Sequence, residues 1–205
     1  MDMHLSFVEQ FNTFTFAKEG DPVMSDCGAL LTPNYGFDNC PDIDILVIPG
    51  GGNILGEMTD EKVIAFLQDR GPKAKYITSV CTGMLILAEA GLLDGYKATT
   101  HWAYIDQLAA FPNIEVVRER VVVDRNRITG GGITAGLDFA FTVIAEVIAP
   151  ELAQTIQLVF EYRPQPPFNT GSPETAPKEM VNMVKGMVNE KAGELQEFIK
   201  KKYAT

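Results

Sequence analysis

The chain has 205 residues, 46% of them hydrophobic and 21% charged, which suits one α/β domain with a sizeable core and excludes an intrinsically disordered chain. A formal net charge of −10 argues against tracking a phosphate backbone, so no nucleic-acid partner is expected despite the short "KKK" at Lys200 to Lys202. No apolar run approaches the roughly 20 residues that cross a bilayer, and "MDMHLSFVEQ" lacks the basic start and apolar centre of a signal peptide, so the expectation is a cytoplasmic protein with no membrane partner.

In chain order, "TFTFAKEG" alternates like a strand that ends in a turn at Gly20 to Pro22. "DIDILVIPGGG" carries the apolar run Ile45 to Ile48, stopped by Pro49 and three glycines, as expected of a strand buried on both faces. In "TDEKVIAFLQDRG" a capping Thr59 or Asp60, acids in the first turn, apolar Val63, Ile64, Phe66 and Leu67, and Gly71 with Pro72 beyond predict an amphipathic helix. "YITSV" then reads as a strand and "TGMLILAEAGLL" as a mostly buried helix, closed by Gly91 or Gly95.

"KATTHW" reads as a strand leading into a helix, "AYIDQLAAF", that Pro112 stops. "EVVRERVVVDRNRIT" supplies two more strand candidates around a turn at Asp124 to Asn126, and "GGGITAG" leads into the apolar helix "LDFAFTVIAEVIA", ended by Pro150. Strands alternating with helices at this spacing predict a largely parallel sheet with helices on both faces. A helix from Ala153 to Tyr162 and the loop "RPQPPFNTGSPETAP" follow. Last comes one helix over Lys178 to Tyr203, with Val181, Val184, Val188, Leu195, Phe198 and Ile199 near helical spacing, which covers the body or meets a second subunit. The organisation expected is a domain over residues 1–177 with a C-terminal helix over 178–205.

The three cysteines, Cys27, Cys40 and Cys81, are an odd number at unrelated spacings, which suits reduced thiols. With two histidines, His4 and His101, and no CxxC pair, there is little to build a metal site from, and none is expected. Cys81 stands between a strand and a helix, with Gly83 two residues on, and in a doubly wound sheet ligands bind beyond such strand ends. The junction has the outline of a nucleophile elbow, where unpaired amides at the start of the helix lower the thiol pKa and steady an anion formed by attack. The plainer reading is a small buried hydrophobe. The "PGGG" turn offers bare amides that could complete an oxyanion site, or it is simply a tight connection.

"SVCTG" followed by "AEAGLLDGYKATTHW", after "IPGG" and before "TGGGITAGLDFA", resembles the ThiJ/PfpI branch of the class I glutamine-amidotransferase-like superfamily. The motifs run in order from about Asp42 to Glu146. "ATTHWAY" with "ITAGLDFA" is most similar to isonitrile hydratases and to the sensor halves of AraC-type regulators, and "LVFEYRPQPPFNTGSPETAP" resembles the segment that follows the core in the hydratases. The regulators continue into a DNA-binding pair of helix-turn-helix units, and the expectation is that this protein carries no such module. The resemblance implies a flavodoxin-like three-layer α/β sandwich, a homodimer, and a hydro-lyase that needs no cofactor and acts on a small molecule, adding water to an isonitrile. It further implies Cys81 as nucleophile with Thr82 beside it, Thr82 N–H and an amide of Gly51 or Gly52 steadying the substrate, and Ile133 packing against the helix that carries the cysteine.

Relatives open with a strand, in a stretch like "LDLTGP", whose acid serves the cysteine. That strand is not evident here: either the chain starts at an internal Met or its N-terminus diverges, and Asp2 is the acid that could stand in, ahead of Glu9. His101 lies 20 residues after Cys81 and is read either as a group near the substrate or as a hydrogen-bonded histidine holding the "TTHW" turn. Thr82 stands where PfpI-type proteases carry a histidine, which speaks against peptidase chemistry. Asp138 reads as a first-turn acid of its helix, Trp102 as core or pocket wall, and Cys27 and Cys40 as incidental. Two alternatives stay open: a glyoxalase-like or other cysteine-dependent enzyme using a base such as His101, and a non-catalytic protein in which Cys81 senses oxidation or a ligand.

Overall fold

A computed structural model describes residues 11–203. Its centre is a four-stranded sheet of β3 (Ile45–Ile48), β4 (Tyr76–Val80), β8 (Arg127–Gly130) and β7 (Val121–Asp124), in that order. The first three strands run parallel, and β7 joins β8 as an antiparallel hairpin whose turn puts Arg125 at φ 54°. β4 is buried from Ile77 to Val80, and its polar residues are satisfied across the ladder: Thr78 Oγ1 donates to the Leu46 carbonyl at 3.0 Å and Ser79 Oγ to the Ile48 carbonyl at 2.6 Å. Arg127, equally buried in β8, donates through Nε to the Leu92 carbonyl at 2.7 Å.

Helices cover both faces, as the alternating pattern predicts, giving the α/β sandwich of flavodoxin-like type that the family resemblance implies. On one face α1 (Ile54–Thr59), α2 (Glu61–Arg70) and α3 (Gly83–Glu89) bury Met58, Phe66, Leu67, Met84, Leu85 and Leu87. Asp60 caps α2, accepting from the amides of Lys62 and Val63. On the other face α5 (Ala135–Val147) and α6 (Pro150–Val159) press Phe139, Val143, Ile144 and Ile156 against Val80 and Ile128. α6 starts at Pro150, three residues before the expected Ala153, because proline suits the first helical turn, where an amide has no partner.

Several elements differ from the sequence expectation. "TFTFAKEG" makes a single bridge, Phe16 to Tyr35, and no strand. The chain then forms a small hairpin, β1 (Val23–Met24) with β2 (Leu30–Leu31), whose apolar side chains are exposed. The "KATTHW" strand stops at Ala98, so β5 (Lys97–Ala98) pairs only briefly with β6 (Glu115–Val116). Side chains draw the next two residues off the ladder, since Thr99 N–H donates to Thr129 Oγ1 at 3.1 Å and Thr100 Oγ1 to the Cys81 carbonyl at 2.7 Å. The helix expected over "AYIDQLAAF" is a 3-10 turn, Trp102–Tyr104, and one α turn, α4 (Ile105–Leu108).

The single C-terminal helix is in fact two, α7 (Lys178–Lys191) and α8 (Gly193–Tyr203), broken at Ala192 beside the poor helix former Gly193. The break lets α8 bury Leu195 and Ile199 in the core and set the Tyr203 ring 4.3 Å from Phe111, while its hydroxyl donates to Glu89 Oε2 at 2.8 Å. Met180, Met183 and Met187 of α7 stay exposed.

Candidate active site

β4 ends at Val80, and the chain turns sharply at Cys81, φ 57°, before α3 begins at Gly83. A side-chain-bearing residue in that left-handed region costs on the order of 1 kcal/mol, so something must hold it there. Three hydrogen bonds do. Cys81 N–H is shared between the carbonyls of Gly130 at 3.0 Å and Gly131 at 2.7 Å, and its own carbonyl accepts from Thr100 Oγ1 at 2.7 Å.

Two glycines let the neighbouring turn close on this elbow. A Cβ at Gly50 would stand 2.9 Å from the Cys81 Cβ, and one at Gly83 only 2.5 Å from the Pro49 carbonyl oxygen. Thr82 is buried, and its hydroxyl accepts from Gly51 N–H at 3.2 Å and reaches the Gly51 carbonyl at 3.3 Å. The structure thus brings Cys81, Thr82 and Gly51 together. Gly52 N–H is engaged by Asp26 of the β1–β2 hairpin, donating to Oδ2 at 2.8 Å.

Cys81 is half-buried, and burial pushes its thiol above the ordinary value of 9.0, an effect the amide and hydroxyl of Thr82 only partly offset. The lowered thiol pKa expected from the helix start is therefore not what the site produces, because desolvation outweighs the nearby donors. Burial thus favours the thiol over the thiolate.

His101 holds the turn after Thr100: its Nδ1 accepts from Ala103 N–H at 3.2 Å and its ring lies against Gly132, where a Cβ would come within 2.8 Å of Cδ2. Burial lowers its pKa below 6.5, so the imidazole is neutral at pH 7. Tyr104 packs edge-on to His101, with centroids 6.0 Å apart, and burial followed by the charge of a Cys81 thiolate raises its phenol pKa.

Ile133 does not pack against the helix that follows Cys81; its side chain is 88% exposed. The "GGGIT" loop is anchored by backbone and polar groups instead, with Gly131 N–H on the Arg120 carbonyl at 2.9 Å and Arg120 Nη2 on Thr134 Oγ1 at 3.3 Å. Asp138 is more than a first-turn acid, pairing with Arg120 and accepting from the Tyr162 hydroxyl at 2.9 Å. Asp2 and Glu9 lie outside the described residues.

Sequence reasoning missed Thr100, Tyr104 and Asp26. The doubled threonine and the tyrosine three residues after His101 were visible inside a quoted motif, whereas nothing marked Asp26. A polar surface cavity of about 380 Å³ opens between Lys18, Glu19, Asn34, Tyr35 and Asp38, and an apolar cleft of about 70 Å³ between Trp102, Pro173, Met180 and Val181; Cys81 lines neither. Among the described residues no three His, Cys, Asp or Glu side chains cluster as a metal would require.

A cysteine at positive φ, lifted from the end of a parallel strand inside an α/β sandwich, gives the site a strand-turn-helix elbow. The chain belongs to the DJ-1/PfpI family, which it matches over residues 5–146. It is 48% identical over 161 residues to an isonitrile hydratase of Pseudomonas putida, covering 78% of this chain and 70% of that protein. It is 35% identical over 163 residues to the HTH-type transcriptional regulator GbdR of Pseudomonas aeruginosa, covering 79% of this chain but only 44% of the regulator. Among solved structures, a ThiJ/PfpI family protein from Pseudomonas syringae superposes with a TM-score of 0.90 at 44% identity, over 96% of this chain and 81% of that one. DJ-1beta of Drosophila melanogaster, 23% identical with a TM-score of 0.62 over 69% of this chain and 77% of that one, shares the fold.

Proposed function

We propose that this protein hydrates isonitriles, R–NC, to N-substituted formamides without a cofactor, with Cys81 as the nucleophile. The observation that carries the reading is the elbow itself, where Cys81 is held at φ 57° beside the bare Gly50 to Gly52 turn in a chain 48% identical to an isonitrile hydratase.

In the first step the Cys81 sulfur bonds to the terminal isonitrile carbon and that carbon takes up a proton, giving the thioimidate R–N=CH–S. A site that favours the thiol over the thiolate supplies both atoms of this addition, sulfur and hydrogen, with an acid passing the proton between them. Asp2 is our assignment for the acid, and Thr82 is the described hydroxyl hydrogen-bonded to the thiol. Water then adds to the thioimidate carbon, the nitrogen gains a proton, and the carbon–sulfur bond breaks to return the thiol and release R–NH–CHO. No electrons are gained or lost overall.

Thr82 N–H steadies the polar end of the substrate together with the Gly51 or Gly52 amide, each of which must first exchange its own acceptor, Thr82 Oγ1 or Asp26, for the substrate, while His101 and Ile133 stand at the rim. The engagement of His101 Nδ1 by Ala103 N–H favours this reading over a carbonyl chemistry in which His101 is the base. We further assign a homodimer in the cytoplasm, supported by family likeness and by three cysteines that all remain free thiols. Among the described residues, no helix is long and apolar enough to cross a membrane.

The test is formamide production from cyclohexyl isocyanide by the purified chain beside its Cys81→Ala variant. Turnover that disappears with the thiol supports the reading; a folded wild-type protein that makes no formamide overturns it.

A further inference from the structure

The turn beside Cys81 presents backbone amides without side chains, the usual setting for an anion, and Gly51 N–H is held by Thr82 Oγ1. In this protein one of those donors already has an anion of the chain's own. Asp26 Oδ2 accepts from Gly52 N–H at 2.8 Å, and a Cβ built at Gly52 or Gly51 would lie 3.3 or 3.8 Å from its carboxylate oxygens. The carboxylate therefore rests over both glycines.

It is also held firmly. Asp26 sits in the turn of the β1–β2 hairpin, which is closed by Ser25 N–H on the Ala29 carbonyl at 2.8 Å, Gly28 N–H on the Ser25 carbonyl at 2.9 Å, and Ala29 N–H on Ser25 Oγ at 3.0 Å. Gly50, against the Cys81 side chain, is two residues from Gly52, a span of roughly 7 Å at most along the backbone. The Asp26 carboxylate thus rests on the same glycine turn whose Gly50 touches the Cys81 side chain, so a substrate anion seated on that turn would meet a like charge.

We propose that Asp26 is a specificity-determining residue, a built-in carboxylate that occupies the Gly52 donor and turns away electrophiles bearing a carboxylate of their own, leaving the site to neutral ones. This rests on the reading of Cys81 as the reacting group, and it narrows the substrate class to isonitriles without an acidic substituent near the reacting carbon.

The probes are two alkylating agents of similar size, neutral iodoacetamide and anionic iodoacetate, with modification followed on the Cys81 peptide by mass spectrometry. The full-length chain is used in a Cys27→Ser background, because exposed Cys27 adjoins Asp26 and would otherwise acquire a charge itself. Asp26→Asn keeps an acceptor for Gly52 N–H and loses the charge; Asp26→Ala loses both.

The iodoacetate-to-iodoacetamide rate ratio should rise about three- to tenfold, more in Asp26→Ala than in Asp26→Asn, while the iodoacetamide rate alone stays within about twofold, as befits one partly screened charge. An unchanged ratio in folded variants overturns the proposal. So does a parallel change in both rates, which would make the hairpin a steric cover, or a Cys81 that iodoacetamide cannot reach in the folded protein. Formamide production measured on the same samples separates the two claims: a shifted ratio without isonitrile turnover sinks hydration and leaves the charge filter standing.

Discussion

The Thr100 hydroxyl donates to the carbonyl oxygen of Cys81 at 2.7 Å, tying the end of a broken strand to the residue that carries the site's thiol. Thr100 is 2% exposed, so no water stands ready to replace it. Thr100→Val keeps the shape and strands the Cys81 carbonyl, which costs about 1–3 kcal/mol in denaturant unfolding. It should also lower the Cys81 alkylation rate. A variant of unchanged stability would mean the bond does not hold the elbow.

Gly83 opens α3, where alanine would ordinarily help a helix. Here the added Cβ would meet the carbonyl oxygens of Pro49 and Ile48 at 2.5 and 2.6 Å and Ser79 Oγ at 2.6 Å. Gly83→Ala is therefore expected to destabilise by about 1–3 kcal/mol, reversing the propensity effect. Thermal unfolding beside an alanine substitution at Gly186 of α7, which has open space around it, checks the contrast.

Partial burial pushes the Cys81 thiol above its ordinary value of 9.0, favouring the protonated form at neutral pH. Iodoacetamide labelling of Cys81 should accordingly climb with pH and keep climbing beyond 9.0, with no plateau near neutrality. A plateau reached by pH 7 would contradict the burial effect on the thiol.

The lowered pKa of His101 has the opposite reach. In the unfolded chain the imidazole takes a proton as pH falls through 6.5, while in the folded chain it resists, so its contribution to stability is present above 6.5 and is lost on acidification toward the folded value. His101→Asn keeps an acceptor for Ala103 N–H and removes the titration. Denaturation midpoints taken downward from pH 7 should fall less steeply in the variant; identical slopes would mean His101 is not the responsible group.

The sandwich was legible because its strands and helices announce themselves in period and punctuation: Ile45 to Ile48 stops at Pro49, and Cys81 falls where an apolar strand gives way to a glycine. What escaped was set by contacts between distant segments. The truncation of "KATTHW" follows from two threonine side chains that bond to Thr129 and Cys81, which no local pattern encodes. The break at Ala192 follows from α8 reaching back to Glu89 and Phe111. The raised Cys81 pKa reflects burial, a property of the packed chain, whereas the sequence shows only the helix start that favours the anion. Asp26 belongs to an exposed hairpin with no alternation to mark it.

The central claim is that a covalent bond forms between Cys81 and the isonitrile carbon. The direct measurement is mass spectrometry of the Cys81 peptide after acid quench during turnover of cyclohexyl isocyanide. The account predicts a peptide heavier by the mass of one substrate molecule, present during turnover and gone when substrate is exhausted. Formamide accumulating while the Cys81 peptide stays unmodified, and continuing in Cys81→Ala, would contradict it.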